Sequence, residues 1–268
     1  MASRDELPEE VFAHYGLGAE RARLSAGAGR VERARTEEVL ARWLPPAPAR
    51  ILDVGGGPGT YVPWLAGQGY EVHLVDPVPL HVEQALQAGA RTARVADARS
   101  IEEPDAGFDA VLLLGPLYHL TERSDRVRAL AEARRVVREG GLVAAAAISR
   151  YASLLDGLRT GALDDPAFRS IVERDLADGQ HRNPTSKPEW FTTAFFHRPD
   201  ELQAEVTDAG LRLAELVGLE GPTWVLGDLD ERWGDPEKRE RLLSAARAVE
   251  REPALIGLSA HLLAVARR

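Results

Sequence analysis

The sequence predicts an α/β fold in which helices cover both faces of a doubly wound, mostly parallel sheet. Three observations support this prediction. Residues 50–150 alternate between short apolar runs and amphipathic stretches, which is typical of repeated βαβ units. A glycine-rich turn follows the first apolar run, and three of the runs are closed by an aspartate. The runs are apolar throughout, as expected for strands that are buried on both faces.

Seven strands are predicted from the apolar runs, each bounded by turn residues. They cover residues 51–54, 71–75, 93–95, 110–114, 141–148, 211–217 and 258–266. Helices are predicted over residues 31–44, 124–138, 199–210 and 236–252. The first of these helices ends before Pro45 and Pro46, because proline lacks the amide that would continue it. The second ends before Gly140, a residue type that commonly closes helices.

Four regions are predicted along the chain. They are an N-terminal helical cap over residues 1–45, a ligand-binding core over 46–150, an insertion over 151–199, and a C-terminal part over 200–268 that completes the sheet. The insertion follows the fifth strand and carries an aromatic cluster of Trp190, Phe191, Phe195 and Phe196. Such a cluster is typical of a lid over a substrate or of a small hydrophobic cluster under a loop, and the sequence leaves both interpretations open.

Composition narrows the classes of function. The chain has 268 residues and a net charge of −9, so binding a nucleic acid would require a local basic patch. Because it contains no cysteine, disulfides, thiolate metal sites and cysteine nucleophiles are excluded. The sequence contains neither a run of about eighteen apolar residues nor a signal-peptide pattern, so we expect no membrane span and a cytoplasmic location. The oligomeric state stays open, a homodimer included.

The most informative segment is the turn after the first strand. Asp53 lies near the end of that strand, and Gly55, Gly57 and Gly59 let the chain turn sharply and let a ligand approach the backbone. A dinucleotide-binding turn has the spacing G-x-G-x-x-G, whereas Thr60 stands here where its last glycine would be. A carboxylate beside the turn would repel a pyrophosphate and suits a cationic ligand without phosphates. The turn therefore favours a nucleoside of that kind over a nicotinamide dinucleotide.

Two further acids follow this turn at regular intervals along the chain. Asp76 closes the second strand, 23 residues after Asp53, and Asp97 follows the third strand 21 residues later. Each interval leaves room for one helix and one strand of a βαβ unit. With these acids, residues 50–150 resemble the class I S-adenosylmethionine-dependent methyltransferases that act on small molecules.

The resemblance implies the fold, the cofactor and the residues that bind it. It implies a Rossmann-like sheet of seven strands whose last strand is antiparallel and lies beside the sixth. It also implies that the glycine turn wraps the methionine part of S-adenosylmethionine, that Asp76 binds both ribose hydroxyls, and that Asp97 contacts the adenine amino group. The predicted cofactor-binding residues of the core are Asp53, Gly55, Gly57, Gly59, Asp76, Pro77, Asp97, Ala98 and Leu114.

The N-terminal region is predicted to contribute two more residues to the cofactor site. In similar enzymes a helix before the glycine turn lends an arginine to the cofactor's carboxylate, and a tyrosine further upstream closes over the cofactor. Arg35 and Tyr15 are the residues predicted for these positions. An arginine suits a carboxylate because its fork donates two parallel hydrogen bonds. For most of the N-terminal arginines, ion pairs on a solvated helix are the favoured interpretation.

The segment after the fourth strand, residues 115–120, is predicted to carry the chemistry. Gly115 stands where amino-directed nucleic-acid methyltransferases resemble one another in an asparagine or aspartate, and the segment has no acid that could hold Mg²⁺, so no metal site is predicted. His119 is the predicted general base, because imidazole titrates near neutrality. Its alternative role is packing beside the cofactor, and Tyr118 is predicted to line the pocket or to contact the cofactor.

Other histidines are ranked below His119. His181 and His197, in or near the insertion, are weaker candidates for the base. His81 and His261 are expected to be structural or surface residues.

The predicted function is transfer of a methyl group from S-adenosylmethionine to oxygen or nitrogen of a small-molecule acceptor, by in-line displacement. The aromatic insertion favours an acceptor that is partly aromatic or apolar. Neither a membrane nor a nucleic acid is the expected partner. Three alternatives stay open: an RNA or protein methyltransferase, a nicotinamide-dependent oxidoreductase, against which Asp53 and Thr60 argue, and a non-catalytic scaffold that binds the cofactor.

Overall fold

The structure is a computed structural model that describes residues 23–185 and 187–268. Nine strands form a seven-stranded sheet and a two-stranded sheet within these ranges. The strands are β1 Arg50–Val54, β2 Glu71–Asp76, β3 Thr92–Val95, β4 Phe108–Leu113, β5 Val137–Ile148, β6 Gln180–His181, β7 Ala194–Phe195, β8 Arg212–Gly218 and β9 His261–Arg267. The described helices are α1 Gly27–Trp43, α2 Val62–Gly67, α3 Pro79–Gln87, α4 Arg123–Val136, α5 Ala152–Thr160, α6 Pro166–Asp178, α7 Pro199–Asp208, α8 Leu229–Gly234 and α9 Pro236–Val249.

The large sheet has the strand order β3-β2-β1-β4-β5-β9-β8. The strands from β3 to β5 pair in parallel, and β9 is antiparallel to both β5 and β8. This confirms the predicted doubly wound α/β fold, including the antiparallel last strand inserted beside the sixth strand of the sheet. The chain order reverses between β1 and β4, and in open α/β sheets ligands bind at the carboxyl ends of the strands beside such a reversal.

The central strand β1 shows why the strands lack polar stripes. Ile51 belongs to a hydrophobic cluster on one side of the sheet, whereas Leu52 and Val54 belong to the cluster on the other side. All three side chains are fully buried. Because successive side chains of a strand point to opposite faces, a strand that is covered on both faces is apolar along most of its length, and the buried Asp53 is the exception in β1.

The predicted elements differ from the observed ones mainly at their ends. β9 begins at His261, three residues later than predicted, because Ile256–Leu258 forms a turn of 3-10 helix. β5 begins at Val137, four residues earlier than predicted, directly after the end of α4. The early part of β5 pairs with Phe108 before the register shifts, so the strand continues through the glycines that were predicted to separate helix and strand.

The insertion over residues 151–199 is tied to the core by buried polar contacts. It contains α5, α6 and the β6–β7 pair, in which Gln180 lies opposite Phe195. The guanidinium of Arg126, on α4, lies 3.7 Å from the centroid of the Phe195 ring. Phe195 therefore packs towards the core, and the role of the insertion as a lid stays a prediction. Among the helices described above, none combines the length and the apolar character needed to cross a bilayer.

Candidate active site

The turn after β1 forms one wall of a cleft at the carboxyl edge of the sheet. Gly57 has a φ of 56°, which favours glycine, and its amide donates to Oδ2 of Asp76 at 2.9 Å. A Cβ on Gly56 would lie 2.6 Å from the Asp53 carboxylate and from the side chain of Leu74. The turn therefore requires glycine at these two positions, and bare backbone faces the cleft.

Asp76 is held rigidly at the end of β2. Its Oδ1 accepts from the amide of Val78 at 2.9 Å and lies 3.0 Å from Nδ1 of His81. Both Asp76 and His81 are buried and line the cleft. His81, which was expected to be structural or at the surface, is thus a buried partner of Asp76, the predicted ribose-binding acid. These contacts fix the position of the carboxylate before any ligand binds.

Asp53 is a fully buried acid without compensation. In residues 23–185 and 187–268, neither of its carboxylate oxygens has a hydrogen-bond partner. Burial raises the pKa of the Asp53 carboxyl to about 7, and the nearby charge of Asp76 adds to this rise. An uncompensated buried acid in a cleft is typical of a site that receives a cation or a hydrogen-bond donor from its ligand. This observation fits the sulfonium and ammonium groups of S-adenosylmethionine.

The raised pKa predicts a specific pH dependence of stability for Asp53→Asn. Above about pH 4 the unfolded carboxyl is ionised, whereas the folded one keeps its proton until about pH 7, so the free energy of unfolding of the wild type falls as pH rises across this window. The variant lacks this loss. We expect its free energy of unfolding, relative to wild type, to rise by about 3 kcal/mol between pH 5 and pH 8 in urea titrations. A difference that does not change with pH would contradict the buried, protonated state.

Asp97 lines the cleft and forms an ion pair with Arg99. Its two oxygens accept from the side chain of Arg99 at 2.9 and 2.7 Å, and Oδ1 also accepts from the Arg99 amide at 2.8 Å. Burial raises the pKa of Asp97, but the hydrogen bonds from Arg99 outweigh it and hold the pKa below its ordinary value. Arg99 also donates to Asp125 at 2.8 Å. Asp97 is thus an ionised acid whose acceptor capacity is largely used by Arg99.

The first cleft, as we call this cavity, encloses about 940 Å³ that is partly open to solvent. The predicted residues that line it are Asp53, Gly55, Gly57, Asp76, Pro77, Asp97, Ala98, Leu114, Tyr118 and His119. Gly59 does not line it. A Cβ on Gly59 would lie 3.1 Å from the backbone of Ala85 on α3, so this glycine permits helix packing and does not face a ligand. Arg23 and Leu24, which were not predicted, complete the wall.

Arg35 was predicted to bind the cofactor's carboxylate, and the structure corrects this prediction. Its side chain is 1% exposed and does not line the first cleft. The guanidinium forms ion pairs with Glu38 and Glu250 and donates to the carbonyl of Leu219 at 3.2 Å. The arginine therefore ties α1 to the C-terminal part of the chain. Tyr15 lies outside the described residues.

We expect Arg35→Ala to lower stability without changing cofactor affinity. Removing one partner of a buried ion pair leaves an uncompensated charge and costs about 3 kcal/mol of unfolding free energy, at the low end because Arg42 still neutralises Glu250. Urea denaturation and calorimetric titration with S-adenosylhomocysteine measure the two quantities. Arg33→Ala, which removes an exposed pair with Glu37 on the same helix, is the control. Weaker binding at unchanged stability would return Arg35 to the site.

A second cleft of about 820 Å³, a volume that includes open solvent at its mouth, adjoins the first. The two clefts share Arg23 and Tyr118 in their walls. The second is lined largely by the insertion, whose contribution includes Trp190, Phe191 and Phe196. Phe191 has a φ of 65°, which a non-glycine residue adopts only at a cost of about 1–3 kcal/mol. Its ring lies 5.8 Å from the His119 ring, centroid to centroid, beside the place where the clefts meet.

The remaining histidines of the insertion are held by buried contacts. Nδ1 of His181 lies 2.9 Å from Oδ2 of Asp175, and Nε2 lies 2.9 Å from the carbonyl oxygen of Trp190. Both ring nitrogens are thus engaged, although the ring lines the second cleft. Burial lowers the pKa of His197, which is fully buried and lies 3.1 Å from Glu205. Neither histidine presents a nitrogen that is suited to act as a base.

The sequence of this chain is similar to those of methyltransferases and of a Diels-Alderase. The sequence profile of a family described as a methyltransferase domain matches residues 52–145. The ubiquinone biosynthesis O-methyltransferase of Xanthomonas axonopodis pv. citri (strain 306) is 30% identical over 196 residues, which cover 71% of this chain and 73% of that protein. The S-adenosyl-L-methionine-dependent Diels-Alderase iccD of Talaromyces variabilis is 29% identical over 182 residues, which cover 54% of this chain and 61% of that protein.

Solved structures with a similar fold include two S-adenosylmethionine-dependent methyltransferases. An S-adenosylmethionine dependent methyltransferase from Mesorhizobium loti has a TM-score of 0.59 and 19% identity, and the match covers 89% of this chain and 100% of that one. A SAM-dependent methyltransferase from Methanosarcina mazei has a TM-score of 0.57 and 20% identity, covering 86% and 96%. At these identities the likeness shows the fold.

Proposed function

Because this chain belongs to the class I S-adenosylmethionine-dependent methyltransferases, we propose that it methylates an oxygen atom of a small, largely apolar acceptor bound in the second cleft. It is an enzyme, and its cofactor is S-adenosylmethionine. The observation that carries the proposal is the junction of the two clefts at Arg23 and Tyr118. A methyl donor in one cleft and an acceptor in the other would meet there.

The residues around the first cleft fit the cofactor. Asp76 would accept from the two ribose hydroxyls, and Asp97 with Ala98 would border the adenine. Asp53 offers an uncompensated carboxylate near the bare backbone of the glycine turn, which suits the cationic methionine part. When bound, S-adenosylmethionine supplies an electrophilic methyl group on a sulfonium, and the protein's main contribution is to align the acceptor with that methyl.

The second cleft favours an acceptor with an apolar or aromatic body. Its lining includes the aromatic rings of Tyr118, Phe168, Trp190, Phe191, Phe196 and Trp224. Such rings bind flat apolar molecules and exclude water from the reacting atoms. Its polar groups include Ser153, Asp156 and His261. A few polar groups in an apolar cavity fix the orientation of a ligand.

We propose oxygen as the methylated atom because of the name of a similar protein. The protein from Xanthomonas that is 30% identical to this chain is named as an O-methyltransferase. A phenolic hydroxyl would combine the apolar body that the second cleft favours with an oxygen nucleophile. The regions over residues 1–45, 46–150, 151–199 and 200–268 would then serve as cap, cofactor core, acceptor-binding insertion and completion of the sheet.

A labelled-methyl assay tests the proposal. The enzyme is incubated with S-adenosylmethionine that carries a trideuteromethyl group and with matched phenols, anilines and thiols, and the products are identified by mass spectrometry. We expect the label on the phenols. Label on amines only would move the target atom to nitrogen. Cofactor binding without label on any of these acceptors would contradict methyl transfer to oxygen, nitrogen or sulfur of this class of molecule.

A further inference from the structure

His261 lies at the edge of the sheet where the substrate clefts open. It is the first residue of β9 and pairs with Ile148, the last residue of β5. An antiparallel strand begins where its parallel neighbour ends, so His261 is placed at the same carboxyl edge as the glycine turn. Its ring lines the second cleft together with Arg23 and Tyr118, which border both clefts.

A buried carboxylate fixes the orientation of this ring. Oε1 of Glu220 lies 2.6 Å from Nδ1 of His261, and Oε2 accepts from the backbone amide of the same residue at 3.0 Å. The Glu220 side chain is 1% exposed. A carboxylate held in this way keeps the proton of a neutral imidazole on Nδ1. Nε2 is then the basic atom available to a molecule in the second cleft.

A second carboxylate and an arginine complete the surroundings of the ring. Oε2 of Glu32, on α1, lies 3.6 Å from Nδ1 of His261. Arg23 donates to the two oxygens of Glu32 at 2.6 and 3.1 Å. Glu32 thus adds negative charge on the Nδ1 side, partly balanced by Arg23. Within residues 23–185 and 187–268, the charged groups that face His261 are Glu220, Glu32 and Arg23.

We propose that His261 is the general base of this enzyme and that Glu220 is its positioning residue. Nε2 would take the proton of the acceptor hydroxyl, and the electron pair of the broken O–H bond would stay on oxygen to form the new bond to the methyl carbon. The bond between that carbon and the sulfonium sulfur would break at the same time with its electron pair staying on sulfur, so that neutral S-adenosylhomocysteine leaves. The proton then passes from His261 to solvent. This inference rests on the proposed function, since it requires an acceptor that loses a proton. It moves the base from His119, which lines the first cleft, to a histidine of the second cleft.

The surroundings of His261 give the proposal a pH signature. Burial would lower the pKa of His261, but the carboxylates of Glu32 and Glu220 outweigh it and hold the pKa above its ordinary value. A base acts only when it is deprotonated, so kcat/KM should rise with pH along a limb centred above about 6.5. Removing the Glu220 charge should move this limb to lower pH.

Kinetics with a phenolic acceptor test the assignment. We expect His261→Gln to lower kcat about 100-fold and to abolish the acidic limb, as loss of a general base does. Glu220→Gln should lower kcat about 10-fold and shift the limb to lower pH. The KM for S-adenosylmethionine should stay unchanged in both. His73→Gln is the matched control, because His73 is a buried histidine on β2, 2.8 Å from Glu71, that lines neither cleft.

Three outcomes would overturn the assignment. One is an intact acidic limb in His261→Gln together with its loss in His119→Gln, which would return the base to His119. Another is loss of wild-type activity on chelation by EDTA with recovery on adding a divalent cation, because the cluster of Glu32, Glu220 and His261 would then hold a metal. The third is melting of His261→Gln well below His73→Gln, with both equally active at low temperature.

Nuclear magnetic resonance tests the same assignment without turnover. In ¹⁵N-labelled enzyme, the ring signals that disappear in His261→Gln should show the Nδ1–H tautomer above the titration midpoint, and a midpoint above that of a free histidine. The Nε2–H tautomer would overturn the proposal even if no acceptor is found. Failure of the proposed function appears differently, as no labelled methyl on any acceptor while this tautomer is present.

Discussion

Replacing Asp76 by alanine is expected to weaken the binding of S-adenosylhomocysteine by about 100-fold or more. A hydrogen bond to a charged acceptor contributes about 1.5–3 kcal/mol, and the proposed site places both ribose hydroxyls on this carboxylate. The same carboxylate also accepts from the amide of Gly57 at 2.9 Å, so its loss loosens the glycine turn. Titration calorimetry measures the change in affinity directly.

Two variants make this result specific. Asp76→Asn keeps one acceptor oxygen and should bind with intermediate affinity. Asp109→Ala removes an acid of β4 that accepts from the amide of Arg50 and lies outside both clefts, and it should leave the affinity unchanged. If Asp76→Ala bound the nucleoside as tightly as wild type, the ribose would not lie on β2 and the assignment of the first cleft would be lost.

Replacing Arg126 by alanine is expected to lower the free energy of unfolding by about 3–5 kcal/mol, the range for removing one partner of a buried ion pair. Arg126 is buried, donates to Glu205 at 2.7 Å, and also donates to the carbonyl of Leu120 at 2.8 Å. Glu205 is buried as well. Arg126→Ala would leave the Glu205 carboxylate without its main cation. It would also remove the guanidinium that stacks on Phe195.

The double variant Arg126→Met with Glu205→Leu separates charge from packing. Replacing both partners of a buried pair by apolar groups of similar size is often close to neutral, so much of the lost stability should return. Arg232→Ala, which removes an exposed pair with Asp228, should leave the urea midpoint unchanged. A loss for Arg126→Ala no larger than that of this control would show that the pair does not anchor α7 to α4.

The fold could be predicted well because its signals are local. Apolar runs such as Ile51–Leu52 report burial on both faces of the sheet, and turn residues bound each strand. The ends of the elements were harder to place. Residues 256–260 combine the apolar Ile256 and Leu258 with Gly257 and Ser259, so this segment fits either a 3-10 turn or the start of β9, and the choice depends on pairing with β5. The position of β9 itself came from family resemblance.

The site could be predicted where the acids lie at strand ends, and it was missed where it depends on long-range packing. Asp53, Asp76 and Asp97 all line the first cleft, because parallel strands end at one edge. The prediction that Arg35 binds the cofactor was wrong because its partner, Glu250, lies far away in the sequence. The contact of His261 with Glu220 likewise joins residues that are distant in the sequence. Only the folded chain brings His261 to Glu220 and to the cleft.

The most direct test is a crystal structure of the enzyme with S-adenosylhomocysteine and a phenol. Our account predicts that the ribose hydroxyls lie within hydrogen-bonding distance of the Asp76 carboxylate. It also predicts that the thioether sulfur points past Arg23 and Tyr118, which border both clefts, towards a phenol held in the second cleft. A nucleoside bound away from Asp76, or a sulfur facing away from the second cleft, would contradict the arrangement on which methyl transfer is proposed.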